Sequence, residues 1–212
     1  MFLNRLCRKT LDKRFYWLAV KVLNLVKLDY QVINRDNIRF KKNTKYIVMC
    51  NHASFFDIPL AVVALNTSVR MLVKKELMKI PIWGKAMSVS DFVSIDRKNS
   101  KQALYDLKKA EVALQRGIVL WIAPEGTRSQ TGKIQPFKRG GFKLAMDIGA
   151  VIIPMGIRGS NKIMPAKSIK INRGEQVEVF FGTPIDASTY TNKNRKELIK
   201  EVEGQIRTLC DE

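Results

Sequence analysis

The sequence is poor in cysteine and histidine, and each shortage excludes a class of protein. It has three cysteines and one histidine in 212 residues. The cysteines are far apart and form no CxxC pair, which argues against a disulfide framework and a zinc site and favours a reducing compartment. Uncharged apolar runs of about 20 residues are also missing, which excludes a polytopic membrane protein. The N-terminus lacks the features of a secretory signal peptide.

Acidic residues are scarce as well. The 19 Asp and Glu oppose 38 Lys and Arg, which gives a formal net charge of +19. Hydrophobic residues still make up 46% of the chain, too many for a disordered basic tail and enough for the core of one domain. Such a basic surface attracts anions, so nucleic acid, an anionic membrane leaflet and a phosphorylated substrate are the candidate partners. Composition alone does not choose among them.

The positive charge is concentrated near the N-terminus. Residues 1–45 contain 12 Lys and Arg and 3 Asp and Glu, a net charge of +9. Residues 15–28 are the most apolar part of this segment, but two lysines and an asparagine interrupt them, so they would span a membrane poorly. On a helical wheel most of the polar residues share one arc. We predict that residues 1–29 form an amphipathic helical element in the membrane interface, with packing against the protein's own core as the alternative.

The rest of the chain, residues 30–212, alternates between apolar strands and amphipathic helices, without a repeat or a dividing linker. This pattern predicts one α/β domain with a mixed central sheet flanked by helices. The predicted strands are 30–38, 45–50, 69–73, 91–96, 118–123, 151–157 and 176–182. The predicted helices are 57–65, 76–87, 100–117, 138–149 and 194–209.

The single histidine, His52, follows a predicted strand and precedes a helix that begins at Asp57. An imidazole in such a loop can act as a base near neutral pH, and a carboxylate five residues later can accept its N–H and fix its tautomer. The spacing alone is a weak signal, because a surface histidine beside a helix-capping aspartate produces the same pattern.

Two further loops follow predicted strands and carry arginines. Arg97 comes directly after one strand, and Arg128 lies in the sequence PEGTRS after another. Arginine is suited to forked recognition of phosphate, and Gly126 lets a backbone approach a ligand closely. Either arginine alone is more typical of an ordinary surface cation than of a binding site. Together with His52, at the ends of separate strands, they predict a site for a phosphorylated ligand.

Four ordered blocks carry a family resemblance. They are NHASFFD (51–57), FVSIDR (92–97), PEGTRS (124–129) and VIIPMGIRGS (151–160). The set resembles the glycerolipid acyltransferase superfamily, and within it is most similar to the bacterial 1-acyl-sn-glycerol-3-phosphate (lysophosphatidate) acyltransferases. The resemblance implies a glycerolphosphate-acyltransferase-like fold. It also implies transfer of a fatty acyl chain from acyl-carrier protein or coenzyme A to the sn-2 hydroxyl of lysophosphatidate, giving phosphatidate.

The resemblance implies roles for individual residues. His52 would be the base and Asp57 its orienting partner, while Arg97 and Arg128 would hold the phosphate of the acceptor, with Lys74, Lys133 or Lys138 as possible helpers. Glu125 would bond the glycerol or orient an arginine, beside Gly126 and Thr127 in the substrate-binding loop. The family chemistry needs no metal and no cofactor besides the acyl donor.

Two neighbours of the histidine, Ser54 and Cys50, are alternative nucleophiles for an acyl-enzyme. The resemblance favours direct transfer within a ternary complex instead. We expect the protein to be membrane-associated, peripheral or monotopic, at the cytoplasmic face of the cell membrane, with anionic lipid as a partner.

Other functions remain open at this point. Within the superfamily the acceptor could be glycerol 3-phosphate, another lysophospholipid or a lyso-aminolipid. Outside it, the charge also suits a non-catalytic membrane-surface protein. A nucleic-acid binder is the poorest candidate, because the basic N-terminus is paired with a wide apolar face and no nucleic-acid-binding signature is present.

Overall fold

A fully buried strand, β2 (Tyr46–Cys50), lies near the middle of the sheet. The computed structural model describes residues 2–81, 87, 92–95, 106 and 110–211. Within these residues, eight strands form one sheet in the order β1-β7-β6-β2-β5-β3-β4, with β8 paired to β6. The other strands are β1 (Asp29–Ile33), β3 (Val69–Lys74), β4 (Val93–Ile95), β5 (Val119–Ile122), β6 (Val151–Arg158), β7 (Gln176–Phe181) and β8 (Ile185–Asp186).

The sheet is mixed, as predicted. Strand β2 pairs in parallel with β5 and with β6, and β3 pairs in parallel with β4 and β5. Strand β6 pairs antiparallel with β7 and β8, while β1 pairs in parallel with β7. Because β2, β5 and β6 are parallel neighbours, their carboxyl ends meet at one edge of the sheet, and ligands commonly bind at such an edge.

Helices cover both faces of the sheet. Alternate residues of β2 point to opposite faces, so Val48 and Cys50 belong to one buried cluster and Ile47 and Met49 to the other. The helices are α1 (Phe2–Leu25), α2 (Asp57–Leu65), α3 (Arg139–Asp147), α4 (Ser160–Ile163) and α5 (Arg195–Cys210). The first cluster lies under α1 and α2, and the second lies under α3, α5 and the helical residues 110–115.

The N-terminal helix is docked on the domain. Ala19, Leu23 and Val26, on and just beyond α1, are buried in the first cluster. Nearer the N-terminus of the helix, Asp12 forms an ion pair of 2.8 Å with the buried Arg70 of β3. The guanidinium carbon of Arg70 also lies 5.3 Å from the ring centroid of Phe15. A buried charge that lost such a partner would be strongly destabilising, so this pair ties α1 to the sheet.

Several predicted boundaries were wrong for identifiable reasons. The first strand was predicted to reach residue 38 but ends at Ile33, because Asn34 adopts a left-handed conformation (φ 59°) and a 3₁₀ turn follows it. The predicted N-terminal helical element, residues 1–29, is a helix from Phe2 to Leu25, and Asp29 already belongs to β1. The segment predicted as a helix over 76–87 begins instead with a 3₁₀ turn, Lys75–Lys79, and most of its later residues lie outside the described part of the chain. Most of residues 100–109, the first part of the next predicted helix, also lie outside it.

Candidate active site

The loops after β2 and β5 meet at the shared edge of the sheet. The backbone N–H of His52, after β2, donates to Glu125, after β5, over 2.8 Å, and the His52 carbonyl accepts the N–H of Ser129 at 2.7 Å. Asn51 joins the same edge to β6, since its side chain both accepts from and donates to the backbone of Ile157. The parallel strands thus bring together two of the loops that carried chemistry in the sequence.

The imidazole of His52 is held by a buried carboxylate. The distance from His52 Nδ1 to Asp57 Oδ2 is 2.7 Å, and Asp57 is fully buried in the first turn of α2. The same oxygen accepts the backbone N–H groups of Ala53 and Ser54 at 2.8 and 2.9 Å. A carboxylate only accepts hydrogen bonds, so Nδ1 carries the proton and the lone pair of His52 is on Nε2. This tautomer is the one a general base requires.

The ring of His52 also packs against the sheet. Its centroid lies 5.5 Å from that of Trp121 in β5, and the two planes meet at 86°. The His52 side chain is 15% exposed, so the imidazole is largely shielded while part of it stays open to solvent. Packing and the hydrogen bond to Asp57 therefore fix the orientation of the ring before any substrate arrives.

Glu125 is a buried bridge between two loops. It is 3% exposed, and its Oε1 and Oε2 each accept a backbone N–H, from His52 and from Gln135, both at 2.8 Å. Burial raises the pKa of the Glu125 carboxyl above its ordinary value, and the two N–H donors oppose that rise. The resemblance implied contact with glycerol or with an arginine, and that role stays a prediction. In the structure both oxygens accept backbone N–H groups, so Glu125 can position the His52 loop.

Gly126 and Thr127 continue this loop toward the surface. Gly126 has a φ of 79°, and a Cβ added there would lie 2.7 Å from Nζ of Lys138. The positive φ favours glycine at this position, and the side chain of Lys138 passes directly over it. The N–H of Lys138 donates to the carbonyl of Pro124, which holds the lysine beside the loop, and Thr127 is exposed.

Arg128 lies flat against an aromatic ring. Its guanidinium carbon is 3.7 Å from the ring centroid of Phe55, a residue that lies between His52 and Asp57 in the chain. Its Nη1 is buried and has no hydrogen-bond partner within the described residues. A stacked, planar cation with an unused donor suits an incoming phosphate or carboxylate.

Some expected site residues lie outside the description, and others were missed. Arg97 lies outside the described residues, as does the side chain of Lys74. The bridging role of Glu125, the clamp formed by Asn51 and the ring under Arg128 were not predicted. The only available signal was Phe55 itself, an aromatic residue inside the HxxxxD segment.

The architecture and these motifs can be compared with known proteins. The acyltransferase family model matches residues 29–158, more than half of the chain.

The chain belongs to the acyltransferase family.

Curated relatives and a solved structure agree with this membership. A chloroplastic 1-acyl-sn-glycerol-3-phosphate acyltransferase of Brassica napus is 31% identical over 172 residues, which are 81% of this chain and 49% of the relative. The enzyme of that name from Borreliella burgdorferi is 28% identical over 90% of this chain and 72% of its own length. The crystal structure of the 1-acyl-sn-glycerophosphate acyltransferase PlsC from Thermotoga maritima superposes with a TM-score of 0.81 at 26% identity, covering 95% of this chain and 78% of that one.

The family member described here is short beside some of its relatives. It spans about half the length of the plant proteins that it matches. In its described residues, no group of three or more His, Cys, Asp or Glu side chains is arranged to hold a metal ion. None of its described helices is long and apolar enough to cross a membrane.

The bridge formed by Glu125 can be tested by stability. In the variant Glu125→Gln the side-chain NH₂ would face one of the two backbone N–H groups and leave a buried donor unpaired. We expect the free energy of unfolding to fall by about 1–3 kcal/mol and the melting temperature to fall measurably. The matched control is Glu178→Gln, since Glu178 is 44% exposed at its side chain and its ion pair with Arg158 is long, at 3.6 Å. Equal melting temperatures for the two variants would contradict the bridging role.

Proposed function

We propose that this chain transfers a fatty acyl group from an acyl thioester, acyl-carrier protein or acyl-coenzyme A, to the sn-2 hydroxyl of lysophosphatidate, which gives phosphatidate. The observation that carries the proposal is the 2.7 Å contact between His52 and Asp57, which directs the Nε2 lone pair away from the carboxylate. The names of the relatives, which act as 1-acyl-sn-glycerol-3-phosphate acyltransferases, support this choice of acceptor.

The proposed reaction uses His52 first as a base and then as an acid. Nε2 takes the proton of the acceptor hydroxyl as its oxygen attacks the thioester carbonyl, which forms a tetrahedral intermediate. The intermediate collapses, the C–S bond breaks, and the imidazolium returns the proton to the leaving thiolate. Asp57 stabilises the imidazolium between these steps. The N–H groups of Ala53 and Ser54 already bind Asp57, which favours the loop after β5 as the source of oxyanion donors.

Transfer is proposed to be direct, without an acyl-enzyme. Cys50 is fully buried in β2, and its burial raises the pKa of its thiol well above the usual value, so the thiol stays protonated. The Ser54 hydroxyl is buried too and donates to the carbonyl of Met164 at 3.3 Å. Neither group is free to attack a thioester.

The acceptor phosphate is proposed to bind at Arg128. Its guanidinium is already oriented by the ring of Phe55 and offers a donor that no described residue uses. The exposed ammonium of Lys138, beside Gly126, would add positive charge on the same loop. Arg97 stays a second proposed phosphate ligand on the strength of the resemblance alone.

Membrane association is proposed to use the outer side of α1. Trp17, Leu18 and Leu25 are 60%, 46% and 72% exposed, and the exposed Arg14 and Lys21 lie among them. Aromatic and aliphatic side chains interleaved with cations are typical of helices that lie in the headgroup region of an anionic leaflet. The apolar face that the sequence predicted to enter the membrane packs partly against the core of the domain. The face proposed to bind the membrane is therefore the opposite one, which carries Trp17, Leu18 and Leu25.

The outer side of α1 can be tested by substitution instead of deletion, because removing residues 1–28 would also remove core residues. The triple variant Trp17→Ser, Leu18→Ser, Leu25→Ser should bind anionic vesicles at least about tenfold more weakly. Its melting temperature should change little, since all three side chains are exposed. Vesicle flotation measures the binding, and unchanged flotation would contradict the proposal.

The proposed reaction is best tested with a panel of acceptors. Protein in detergent is given lysophosphatidate, glycerol 3-phosphate, lysophosphatidylethanolamine or monoacylglycerol with each acyl donor, and products are identified by mass. Phosphatidate formed from lysophosphatidate is the expected result. If only another acceptor gives a product, the chain is an acyltransferase of the same family with a different acceptor. No product with any acceptor would favour a non-catalytic membrane protein.

A further inference from the structure

A loop far from α1 in the sequence exposes two isoleucines. It connects α4 to β7, and we call residues 165–173 the isoleucine loop. Ile169 is 95% exposed and Ile171 is 47% exposed. Single exposed apolar residues are common on protein surfaces. Two exposed isoleucines within three residues, one of them almost completely in solvent, carry an unfavourable hydration free energy unless another surface covers them.

The isoleucine loop is strongly basic. Lys167, Lys170 and Arg173 flank the two isoleucines, and all three are exposed. No acidic residue occurs between Asp147 and Glu175 in the sequence. Isoleucines between cations match the two layers of an anionic leaflet, with acyl chains below and phosphates above.

Hydrogen bonds hold the loop in this conformation. The backbone N–H of Asn172 donates to the carbonyl of Ile163 at 2.8 Å, and its side-chain amide donates to the carbonyl of Lys162 at 2.7 Å. At the start of the loop, the N–H of Ser168 donates to the carbonyl of Pro165. These bonds fix both ends of a short segment, so the isoleucines are held outward by local structure.

The loop continues the exposed surface of α1. The N–H of Gly174 donates to the carbonyl of Val26 at 2.9 Å, and the N–H of Asp29 donates to the carbonyl of Glu175 at 3.1 Å. Leu25, which is 72% exposed, is the residue next to Val26. The end of the isoleucine loop and the end of α1 are therefore direct neighbours.

The same loop reaches the active site. The carbonyl of Met164, next to the loop, accepts the hydroxyl of Ser54 in the HxxxxD segment. A cleft of about 440 Å³ separates Pro165 and Ala166 from Ser129 and Gly132, which follow Arg128. A lipid that leaves the leaflet at the loop would thus arrive beside the loop that carries Arg128.

We propose that the isoleucine loop is a second membrane contact, in which Ile169 and Ile171 enter the acyl layer of an anionic leaflet and the three cations bind lipid phosphates. The two contacts, this loop and α1, come from different parts of the chain, and together they orient the domain on the membrane with the cleft near the lipid. The delivery of lysophosphatidate to the cleft rests on the proposed function; the membrane contact itself does not.

The proposal is tested by vesicle binding of Ile169→Ser/Ile171→Ser. We expect binding to phosphatidylcholine vesicles that contain phosphatidylglycerol to fall at least about tenfold. The matched control is Val112→Ser, since Val112 is 47% exposed on a different element, and its binding should equal that of the parent. Unchanged binding of the double variant overturns the proposal. So does a change from oligomer to monomer in gel filtration, which would mean that the isoleucines meet a second copy of the chain.

A second test measures the insertion of the isoleucine loop directly, by the quenching of tryptophan fluorescence, in variants that still bind vesicles. In Ile169→Trp the added indole should be quenched by brominated lipid more strongly than the parent's tryptophans, whereas Val112→Trp should add no quenching. Equal quenching in both overturns the insertion of the loop.

Activity separates this proposal from the proposed function. With lysophosphatidate dispersed in detergent, Ile169→Ser/Ile171→Ser should keep the parental rate, and with lysophosphatidate in vesicles it should lose at least about tenfold, in line with binding. A parent without acyltransferase activity would refute the proposed function and leave the vesicle-binding result to decide the loop.

Discussion

Replacing His52 by alanine should lower the rate of acyl transfer by at least about 10²-fold, as expected when a general base is removed. Sequence and structure agree on the reason: this is the only imidazole in the chain, and its Nδ1 is engaged by Asp57 at 2.7 Å. The measurement is the initial rate of phosphatidate formation at saturating substrate.

The His52→Ala variant needs two checks. Its vesicle binding should match the parent, and its melting temperature should stay above the assay temperature, although the variant loses the hydrogen bond to the buried Asp57 and the packing contact with Trp121. Intact mass after incubation with acyl donor should show no adduct on parent protein. Parental activity in the variant would refute the assignment of the base, and a stoichiometric acyl adduct on Ser54 or Cys50 would refute direct transfer.

The second large effect is expected at Arg128. Losing a charge-assisted hydrogen bond to the acceptor phosphate should reduce kcat/KM for lysophosphatidate about tenfold to a hundredfold in Arg128→Ala. Arg128→Lys should recover only part of this, because an ammonium keeps the charge but not the planar stacking on Phe55. Rates are measured over a range of lysophosphatidate concentrations to separate KM from kcat.

A stacked arginine elsewhere provides the control for Arg128. Arg158 lies 4.3 Å from the ring centroid of Phe180, but its guanidinium is committed to Asp211 and to the carbonyl of Leu209. Arg158→Ala should therefore leave kcat/KM unchanged. Monoacylglycerol has no phosphate, so kcat/KM for this acceptor should be the same in Arg128→Ala and in the parent. An equal loss with both acceptors would mean that Arg128 does not bind phosphate.

The sequence predicted the fold best where one hydrophobic pattern decides the structure. Helix α2 was predicted with its observed bounds, 57–65, and β2 and β6 were predicted to within a residue. They are short, almost continuous apolar runs, and turns or polar residues end them. The short elements α4 and β8 were missed, because four and two residues are too few to show a period.

The site was predicted in identity but not in arrangement. The partner of His52, Asp57, was visible because a helix start lies five residues later in the chain. The role of Glu125 was not, because its acceptance of the His52 N–H spans 73 positions and depends on β2 and β5 being neighbours. Likewise, nothing in the order of residues places the ring of Phe55 under Arg128. Such contacts are set by the sheet order, which a single sequence leaves open.

The docking of α1 also constrains the order in which the chain can fold. The helix leaves the ribosome before any of its partners, and the carbonyl that its Arg8 binds belongs to Arg116, 108 residues later. The partner of Asp12, Arg70, is also made well after the helix. During synthesis the apolar side of α1 therefore stays uncovered at least until α2 has emerged, and contacts between such distant residues form slowly.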